Sequence, residues 1–203
     1  MSQFFETIKY SDNEFFLIDY HTERLNRTRR NVLGLENELD LREYLRDAPK
    51  DNRTYRCRVD YGEIIHKVAY YPYQLANHKH IGFKEASTFD YAYKYKDRTF
   101  LENAKETLAT DDVIFLKCDL VMDASYSNLA FFNSGSWYTP KKCLLNGVKR
   151  QFLLHQGILQ QKEIKIEDLG YYEKVAFVNA MRDFELVYFF ELINGKLKLT
   201  LEA

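Results

Sequence analysis

Short polar side chains stand between two β-rich stretches near the middle of the sequence, in Asp123-Ala-Ser-Tyr-Ser-Asn128. The hydrophobic run Leu129 to Phe132 follows directly. Asp, Ser and Asn side chains bond to nearby backbone groups and suit tight turns, so this segment fits an ordinary strand–turn–strand unit. From these residues alone, a plain turn and a ligand-binding turn are both open interpretations.

A glycine introduces the next predicted helix, in Gly147-Val-Lys-Arg150. The first N–H groups of a helix have no partner within it and point outward, so a helix start is a ready site for an anion such as phosphate. Many helices begin after a glycine, and the pattern alone therefore does not establish a ligand.

Lysines and tyrosines alternate in Tyr91-Ala-Tyr-Lys-Tyr-Lys-Asp-Arg98. In an extended chain the tyrosines would share one face, and Ala92, Lys94 and Lys96 the other, with room beside Lys94 for a flat molecule. An edge strand protected from aggregation by lysines would have the same pattern. A surface for single-stranded RNA would also combine basic and aromatic groups, but the net charge of −1 weakens that interpretation.

Taken together and in order, these motifs resemble the class IV aminotransferases, the fold-type-IV enzymes that use pyridoxal 5′-phosphate (PLP). The matching segments are Asp123, Asn128, Leu129 to Phe132, Thr139-Pro140 and Leu144-Leu-Asn-Gly-Val-Lys-Arg150, preceded by Phe5-Glu-Thr7 and His21-x-x-Arg24-Leu25. The resemblance runs from Phe4 to Asn179. It implies an α+β protein of fold type IV, with two α/β domains and the cofactor cleft between them.

Two features depart from the family pattern. The acid is usually Glu, whereas Asp123 is one methylene shorter and must lie closer to the pyridine nitrogen that it keeps protonated. The sequence also begins almost directly at Phe5-Glu-Thr7, so the family's first strand is expected to be shortened or absent, together with the substrate-side edge that it forms.

The resemblance also implies which lysine binds PLP. Lys84, Lys94 and Lys96 precede Asp123 by 39, 29 and 27 residues. The position just before a helix and the spacing to the acid favour Lys94, and Arg98 follows it by four residues, as is frequent in the lyase branch of the family. Lys94 is therefore predicted to hold PLP and to act as the general acid and base.

The other implied roles are contacts with the cofactor or the substrate. Asp123 would pair with the pyridine nitrogen. Arg24 would grip the phosphate with a permanently charged guanidinium, although alone it could be one of several solvated arginines. The remaining implied contacts are the backbone amides of Val148 and Lys149 for the phosphate, with Asn128 and Asn179 lining the site. Arg58 is not part of the resemblance; its place on a predicted strand of the small domain makes it a candidate for binding a substrate carboxylate.

Hydrophobic periodicity and turn residues predict the elements that must position these groups. The expected organisation is a small α+β domain over residues 1–72, a linker over 73–80 directly after Pro72, and a larger domain over 81–203 carrying the PLP lysine and the acid. Helices are predicted over His21 to Gly34, Glu38 to Arg46, Thr99 to Leu108 and from Arg150 to His155. Strands are predicted in hairpins over Phe4 to Ile18, Tyr55 to Tyr71 and Phe184 to Leu201, in a strand pair over Asp112 to Met122, and in an extended stretch over Ser87 to Lys96. Further strands are predicted over Leu129 to Phe132, Gln160 to Ile166 and Lys174 to Asn179.

Composition narrows the class of protein. The chain has 203 residues, 46% of them hydrophobic, which is enough for an ordinary core. Its three cysteines, Cys57, Cys118 and Cys143, form no CxxC pair and suggest reduced thiols in the cytoplasm. No signal peptide, membrane span, metal site or overall basic footprint is indicated.

Within the family, the compact layout and Lys94-x-x-x-Arg98 favour a 4-amino-4-deoxychorismate lyase, which forms 4-aminobenzoate and pyruvate for folate synthesis. A branched-chain or D-amino-acid aminotransferase is the alternative, because both chemistries need the same lysine and acid. A degenerate, non-catalytic family member is the third interpretation. The resemblance also implies a homodimer acting on a small amino substrate.

Overall fold

The computed structural model describes residues 3–182 and 184–202, and contacts divide it into two compact units. Unit 1 runs up to Leu75 and includes the separate segment Tyr93–Asp97, whereas unit 2 comprises Ala76–Ala92 and the chain from Arg98 onward. Lys94 therefore belongs to unit 1, not to the larger unit in which the sequence placed it. Met1, Ser2, Asp183 and Ala203, which fall within the predicted domains, lie outside the described residues.

Four strands of the described chain form the antiparallel sheet of unit 1, in the order β2-β1-β3-β4. They are β1 (Phe4–Ser11), β2 (Glu14–Phe15), β3 (Tyr55–Tyr61) and β4 (Ile65–Pro72). Both hairpins predicted for this part of the chain, over Phe4 to Ile18 and Tyr55 to Tyr71, are present. The second strand of the first hairpin, β2, is only two residues long because a helix begins at Ile18. Alternate residues of β1 and β3 are buried, so one face of the sheet forms the core of this unit.

Helix α1 (Ile18–Leu33) covers that face. Leu25 of α1 packs in a cluster with Phe4 and Ile8 of β1 and Val59 of β3. The helix ends as predicted at Gly34, whose φ of 68° suits glycine, and the Gly34 N–H donates to the Arg30 carbonyl at 3.1 Å.

The predicted second helix over Glu38 to Arg46 is wrong. Only the short 3-10 turn Leu41–Glu43 forms there. Asn26 of α1 holds Leu39 through both backbone groups: Nδ2 donates to the Leu39 carbonyl at 2.9 Å, and Oδ1 accepts from its N–H at 3.0 Å. The Leu39 N–H and carbonyl are therefore not available to a helical ladder.

The segment Tyr93–Asp97 is held at the edge of β1. The Phe5 N–H donates to the Lys94 carbonyl at 3.1 Å, the Lys96 N–H to the Gln3 carbonyl at 2.8 Å, and Phe4 forms a bridge with Tyr95. These bonds explain why Lys94 belongs to unit 1. The predicted extended stretch over Ser87 to Lys96 is otherwise turns and loops, so it is wrong as a strand.

Nine strands of the described chain form the mixed sheet of unit 2, in the order β10-β9-β8-β11-β12-β13-β5-β6-β7. They are β5 (His80–Glu85), β6 (Asp112–Lys117), β7 (Leu120–Ala124), β8 (Asn128–Asn133), β9 (Ser136–Pro140), β10 (Leu159–Lys162), β11 (Lys174–Val178), β12 (Val187–Ile193) and β13 (Lys196–Leu201). The last hairpin turns at Asn194-Gly195, as predicted. Leu120 of the edge strand β7 bridges to Lys165, just beyond the opposite edge strand β10, so the sheet curls until its two edges meet.

Helices α2 (Thr99–Leu108) and α3 (Val148–His155) complete unit 2, together with the 3-10 helix Ile166–Tyr171. The boundaries of α2 are as predicted, and α3 begins two residues before the predicted start. Strand β5 was missed: it runs parallel to β6 and contains Gly82, a residue that weakens the strand signal. A side chain at Gly82 would overlap with Leu108, so the glycine allows α2 to lie against the sheet.

None of the helices in residues 3–182 and 184–202 combines the length and apolar character that a membrane crossing requires. Within the same residues, no group of three or more His, Cys, Asp and Glu side chains is arranged to hold a metal ion.

Candidate active site

A buried carboxylate in unit 1 holds two members of the predicted His-x-x-Arg motif. Glu6 of β1 is fully buried and accepts hydrogen bonds from Arg24 Nε at 2.8 Å, from Arg24 Nη2, and from His21 Nδ1 at 2.6 Å. Arg24 is 5% exposed, which rules out the alternative of a solvated arginine. Sequence motifs included Glu6 only as part of Phe5-Glu-Thr7, and no role was predicted for it.

The charges in this cluster follow from its burial. Burial alone would raise the pKa of Glu6, but the charge of Arg24 and the hydrogen bonds from His21 and Arg24 outweigh it and lower the pKa to about 2. For His21 the burial lowers the pKa, the contact with Glu6 opposes this, and the charges of Arg24 and Lys94 add to the lowering. His21 is therefore neutral near pH 7, donating from Nδ1, and Nε2 has no hydrogen-bond partner among the described residues.

This geometry changes how Arg24 could meet a phosphate. The Nε and Nη2 atoms of the guanidinium, the group predicted to grip phosphate oxygens, are bound to Glu6. A guanidinium has five N–H donors, and these two bonds use two of them. Glu6 therefore fixes the orientation of the guanidinium, and a phosphate contact would have to use N–H donors other than these two.

The candidate lysines differ in their surroundings. Lys94 Nζ lies 4.8 Å from the centroid of the Phe5 ring, whereas Lys96 Nζ donates to Asp60 Oδ2 at 3.0 Å. Lys84 lies on β5 in unit 2. Tyr93 and Tyr95 pack against the core of unit 1, so the predicted alternation of faces holds over these few residues. The assignment of Lys94 as the PLP lysine stays a prediction.

The predicted acid lies in unit 2, at the end of β7, and is almost fully buried. Asp123 Oδ1 accepts from Asn128 Nδ2 at 2.7 Å, and Oδ2 accepts from the Leu145 N–H at 2.9 Å. Burial raises the pKa of Asp123 to about 6, although the bonds from Leu145 and Asn128 and the charge of Arg150 oppose the rise. A carboxylate offers about four lone-pair positions, so Asp123 keeps acceptor capacity for a cationic N–H.

Asn128 connects this acid to the predicted anion site. Besides Asp123, its Nδ2 donates to the Leu145 carbonyl at 2.9 Å, and its Oδ1 lies against Gly147, the residue before α3. The φ of Gly147 is −65°, a value open to any residue, so the glycine is needed for space and not for conformation. A Cβ at this position would overlap with Asn128 Oδ1.

Replacing Gly147 by Ala is therefore expected to destabilise unit 2 by roughly 1–3 kcal/mol, because Asn128 must move and leave buried bonds to Asp123 and Leu145 unmade. Urea unfolding monitored by circular dichroism measures the change. Gly170→Ala is the control, since a Cβ there meets nothing within 4 Å. In an Asn128→Ala background the Gly147→Ala cost should largely disappear, and an undiminished cost would contradict the steric explanation.

The first turn of α3 contains the two predicted phosphate amides. Val148 and Lys149 occupy its first positions, where backbone N–H groups have no partner within the helix. Arg150 secures this turn: Nη1 donates to Asn146 Oδ1 at 2.8 Å and Nη2 to the Pro140 carbonyl at 2.9 Å. The Thr-Pro and Gly-x-x-Arg parts of the sequence motif therefore belong to one structural unit.

Asn179 holds the loop between Asp123 and Asn128. Its Nδ2 donates to the Tyr126 carbonyl at 3.2 Å and to Ser127 Oγ at 3.0 Å. On the other side of the loop, Arg98 Nη2 donates to the Ser125 carbonyl at 2.5 Å. Asn179 thus supports the loop next to the acid, and Arg98 is a second support that the sequence analysis noted only for its spacing from Lys94.

The structure groups the predicted site residues by unit. Unit 1 contains Arg24, Lys94 and Arg58, and unit 2 contains Asp123, Asn128, Val148, Lys149 and Asn179. The unit 2 group fits PLP chemically, because a buried carboxylate with a raised pKa suits a cationic ring nitrogen and the start of α3 suits a phosphate. In unit 1, Arg24 adds a fixed positive charge.

Comparison with known proteins establishes the family. Residues 3–185 match the family model described as amino-transferase class IV, and the chain belongs to that family. The recognition from motifs and the predicted fold class are thereby confirmed, as is the prediction of a PLP-dependent enzyme.

Three relatives illustrate the match. A crystal structure from Haemophilus somnus, provisionally named a 4-amino-4-deoxychorismate lyase, is 29% identical with a TM-score of 0.82, over 89% of this chain and 97% of that one. A protein of Schizosaccharomyces pombe, provisionally named an aminodeoxychorismate lyase, is 25% identical over 89% of this chain and 87% of its own. A structure from Mesorhizobium loti, provisionally named an amino-acid aminotransferase, shares the fold at 22% identity and a TM-score of 0.75, over 90% and 96%.

Proposed function

We propose that this protein binds PLP and is a 4-amino-4-deoxychorismate lyase, which releases 4-aminobenzoate and pyruvate. The observation that carries the cofactor assignment is the buried Asp123, whose raised pKa and contact with Asn128 suit a cationic ring nitrogen. The lyase branch is supported by the provisional names of the relatives from Haemophilus somnus and Schizosaccharomyces pombe, and by Arg98 four residues after Lys94.

Each predicted residue has a defined task in this proposal. When bound, PLP supplies an electron sink that stabilises negative charge on the substrate. Lys94 Nζ holds the cofactor and then takes up and returns the proton, Asp123 keeps the ring nitrogen cationic, and Arg58 contacts a substrate carboxylate. The phosphate contacts are Arg24 and the backbone amides of Val148 and Lys149, while Asn128 and Asn179 fix the acid and its loop.

The alternative is an aminotransferase of branched-chain or D-amino acids; the relative from Mesorhizobium loti is provisionally named an amino-acid aminotransferase. Lys94 and Asp123 would serve either reaction, so one turnover must separate the two. A lyase eliminates pyruvate and leaves PLP unchanged without a keto-acid acceptor. An aminotransferase leaves the amino group of its first substrate on the cofactor as pyridoxamine phosphate.

PLP-loaded protein incubated with aminodeoxychorismate is expected to yield 4-aminobenzoate and pyruvate in equal amounts, with the PLP absorbance unchanged at the end. With L-glutamate, L-leucine or D-alanine, little pyridoxamine phosphate should form. Liquid chromatography of products and cofactor measures both, and Lys94→Ala is the inactive control. Stoichiometric pyridoxamine phosphate without aminobenzoate would make the protein an aminotransferase. If neither product formed, the protein would be a degenerate, non-catalytic member of the family.

Three broader features belong to the same proposal. The reaction places the protein in folate synthesis, which occurs in the cytoplasm, and the scattered cysteines agree with that compartment. As implied by the family, we also propose a homodimer, which sedimentation or light scattering at several protein concentrations would test.

A further inference from the structure

The face of the unit 1 sheet that points away from its core is rich in basic side chains. Directly paired residues of antiparallel strands project to the same side, and the pairing of β1, β3 and β4 aligns three rows on this face. The rows are Lys9–Arg56–Tyr71, Thr7–Arg58–Ala69 and Phe5–Asp60–Lys67.

The segment that contains the proposed PLP lysine lies on the same face. Because Tyr95 bridges to Phe4 on the core side, Lys94 and Lys96 project with Phe5 to the basic side. Lys94 Nζ is 4.8 Å from the centroid of the Phe5 ring and the Arg58 guanidinium is 4.2 Å from the same centroid. The two cationic groups are therefore at most about 9 Å apart.

Positive charge predominates here although the whole chain has a net charge of −1. The three rows and the neighbouring Lys94 and Lys96 contain six basic residues, Lys9, Arg56, Arg58, Lys67, Lys94 and Lys96, and one acidic residue, Asp60. Asp60 accepts from Arg58 Nε at 2.7 Å and from Lys96 Nζ at 3.0 Å, so it fixes the orientation of Arg58. Arg56, two residues away on the same strand face, has its Cα roughly 7 Å from that of Arg58.

The aromatic rings on this face are covered by cations. Arg58 and Lys94 lie over Phe5, and Arg56 lies 5.3 Å from the centroid of Tyr71. Binding of single-stranded nucleic acid relies on rings open to stacking bases, so this arrangement favours a small anion over a polynucleotide. Guanidinium groups bind carboxylates with paired hydrogen bonds, and Arg56 and Arg58 offer two such groups at a fixed separation.

We propose that this face selects a substrate with two carboxylates, of which Arg58 binds one and Arg56 binds the other. The proposal rests on the proposed function in one respect, that Lys94 is the lysine at which the reaction occurs. It defines the substrate class as a cyclic dianion, which aminodeoxychorismate satisfies with its ring and enolpyruvyl carboxylates. Leucine and D-alanine, each with one carboxylate, do not.

Calorimetric titration of the PLP-loaded protein with benzene-1,3-dicarboxylate and with benzoate tests the selectivity. We expect the dicarboxylate to bind about ten-fold or more tightly, as one additional charge-assisted hydrogen-bonded contact implies. Arg56→Gln should remove most of this difference and leave benzoate affinity unchanged, whereas Arg58→Gln should weaken both ligands. Arg46→Gln, an exposed arginine outside the three rows, is the matched control and should change neither.

Equal affinities for the two acids in the native protein would overturn the proposal. Tight binding of a short oligothymidylate that Arg56→Gln abolishes, without binding of the dicarboxylate, would overturn it in favour of nucleic acid. Failure of the proposed function is separate: absence of any covalently bound PLP, or pyridoxamine phosphate formed without 4-aminobenzoate, would refute that function, while intact dicarboxylate selectivity would still establish the site. PLP on Lys94 with equal affinities would refute only the dicarboxylate site.

Discussion

Borohydride reduction of the PLP-loaded protein is expected to leave the cofactor covalently attached to Lys94. Peptide mass spectrometry locates the label, and Lys94→Ala should abolish it and lower turnover by at least about 10²–10⁴-fold, the usual contribution of a general acid–base group. The basis is the position of Lys94 in the family motif and its place beside Arg58 over the Phe5 ring. No other prediction made for this chain has a larger expected effect.

Lys96→Ala and Lys84→Ala are the matched controls. Lys96 is bonded to Asp60, and an ion pair of this exposure contributes at most about 1 kcal/mol, so its loss should change turnover little. Lys84 lies on β5 of unit 2. The Lys84→Ala variant should therefore still carry the whole label on Lys94. A label on Lys96 or Lys84 would show that the motif was aligned to the wrong lysine, and absence of any label would contradict the PLP assignment.

Residues that are close in sequence are brought together by a single turn. Asp123 and Asn128 flank one turn between β7 and β8, so the motif itself brings the acid and the amide together. The partners that complete the group, Leu145 and Gly147, arrive from the loop before α3. The sequence indicated that loop only through the family pattern, because the overlap of a Cβ at Gly147 with Asn128 is a property of the folded chain.

The arginines of α1 show why burial was harder to predict. From the sequence alone Arg24 could be one of several solvated arginines, yet Arg24 and Arg29 are 5% and 1% exposed. Arg29 donates to Asn37 and to the Glu63 carbonyl, and Arg24 binds Glu6, 18 residues earlier in the chain. These partners come from other elements of unit 1, so helical periodicity contains no information about them.

Backbone partners from distant residues also explain the wrong elements. The region predicted as a helix over Glu38 to Arg46 has ordinary helical periodicity, but Asn26 binds both backbone groups of Leu39. Tyr93–Asp97 was predicted within a longer strand, and instead a few backbone bonds to Gln3 and Phe5 hold it at the edge of β1. In both places tertiary contacts decided the conformation over local propensity.

Arg24→Ala is expected to raise the dissociation constant of PLP by about one to two decades, because a charge-assisted hydrogen bond to phosphate contributes roughly 1.5–3 kcal/mol. Arg27→Ala is the matched control on the same helix. Arg27 is 35% exposed, and its ion pair with Glu23 is long, at 3.8 Å. The Arg27→Ala variant should therefore bind PLP with almost unchanged affinity. Fluorescence titration of apoprotein with PLP measures both constants.

Arg24 also neutralises a buried charge, and this second role must be separated from the first. Removing Arg24 alone leaves the Glu6 carboxylate buried without its main partner, at a cost of about 3–5 kcal/mol in stability. The double variant Glu6→Gln with Arg24→Ala removes that charge and should recover much of the stability, measured by urea unfolding, without recovering PLP affinity. Arg24→Lys keeps the charge but not the planar fork and should bind PLP with intermediate affinity. If the double variant bound PLP as well as the native protein, Arg24 would serve only to balance Glu6, and the phosphate contact assigned to it would be wrong.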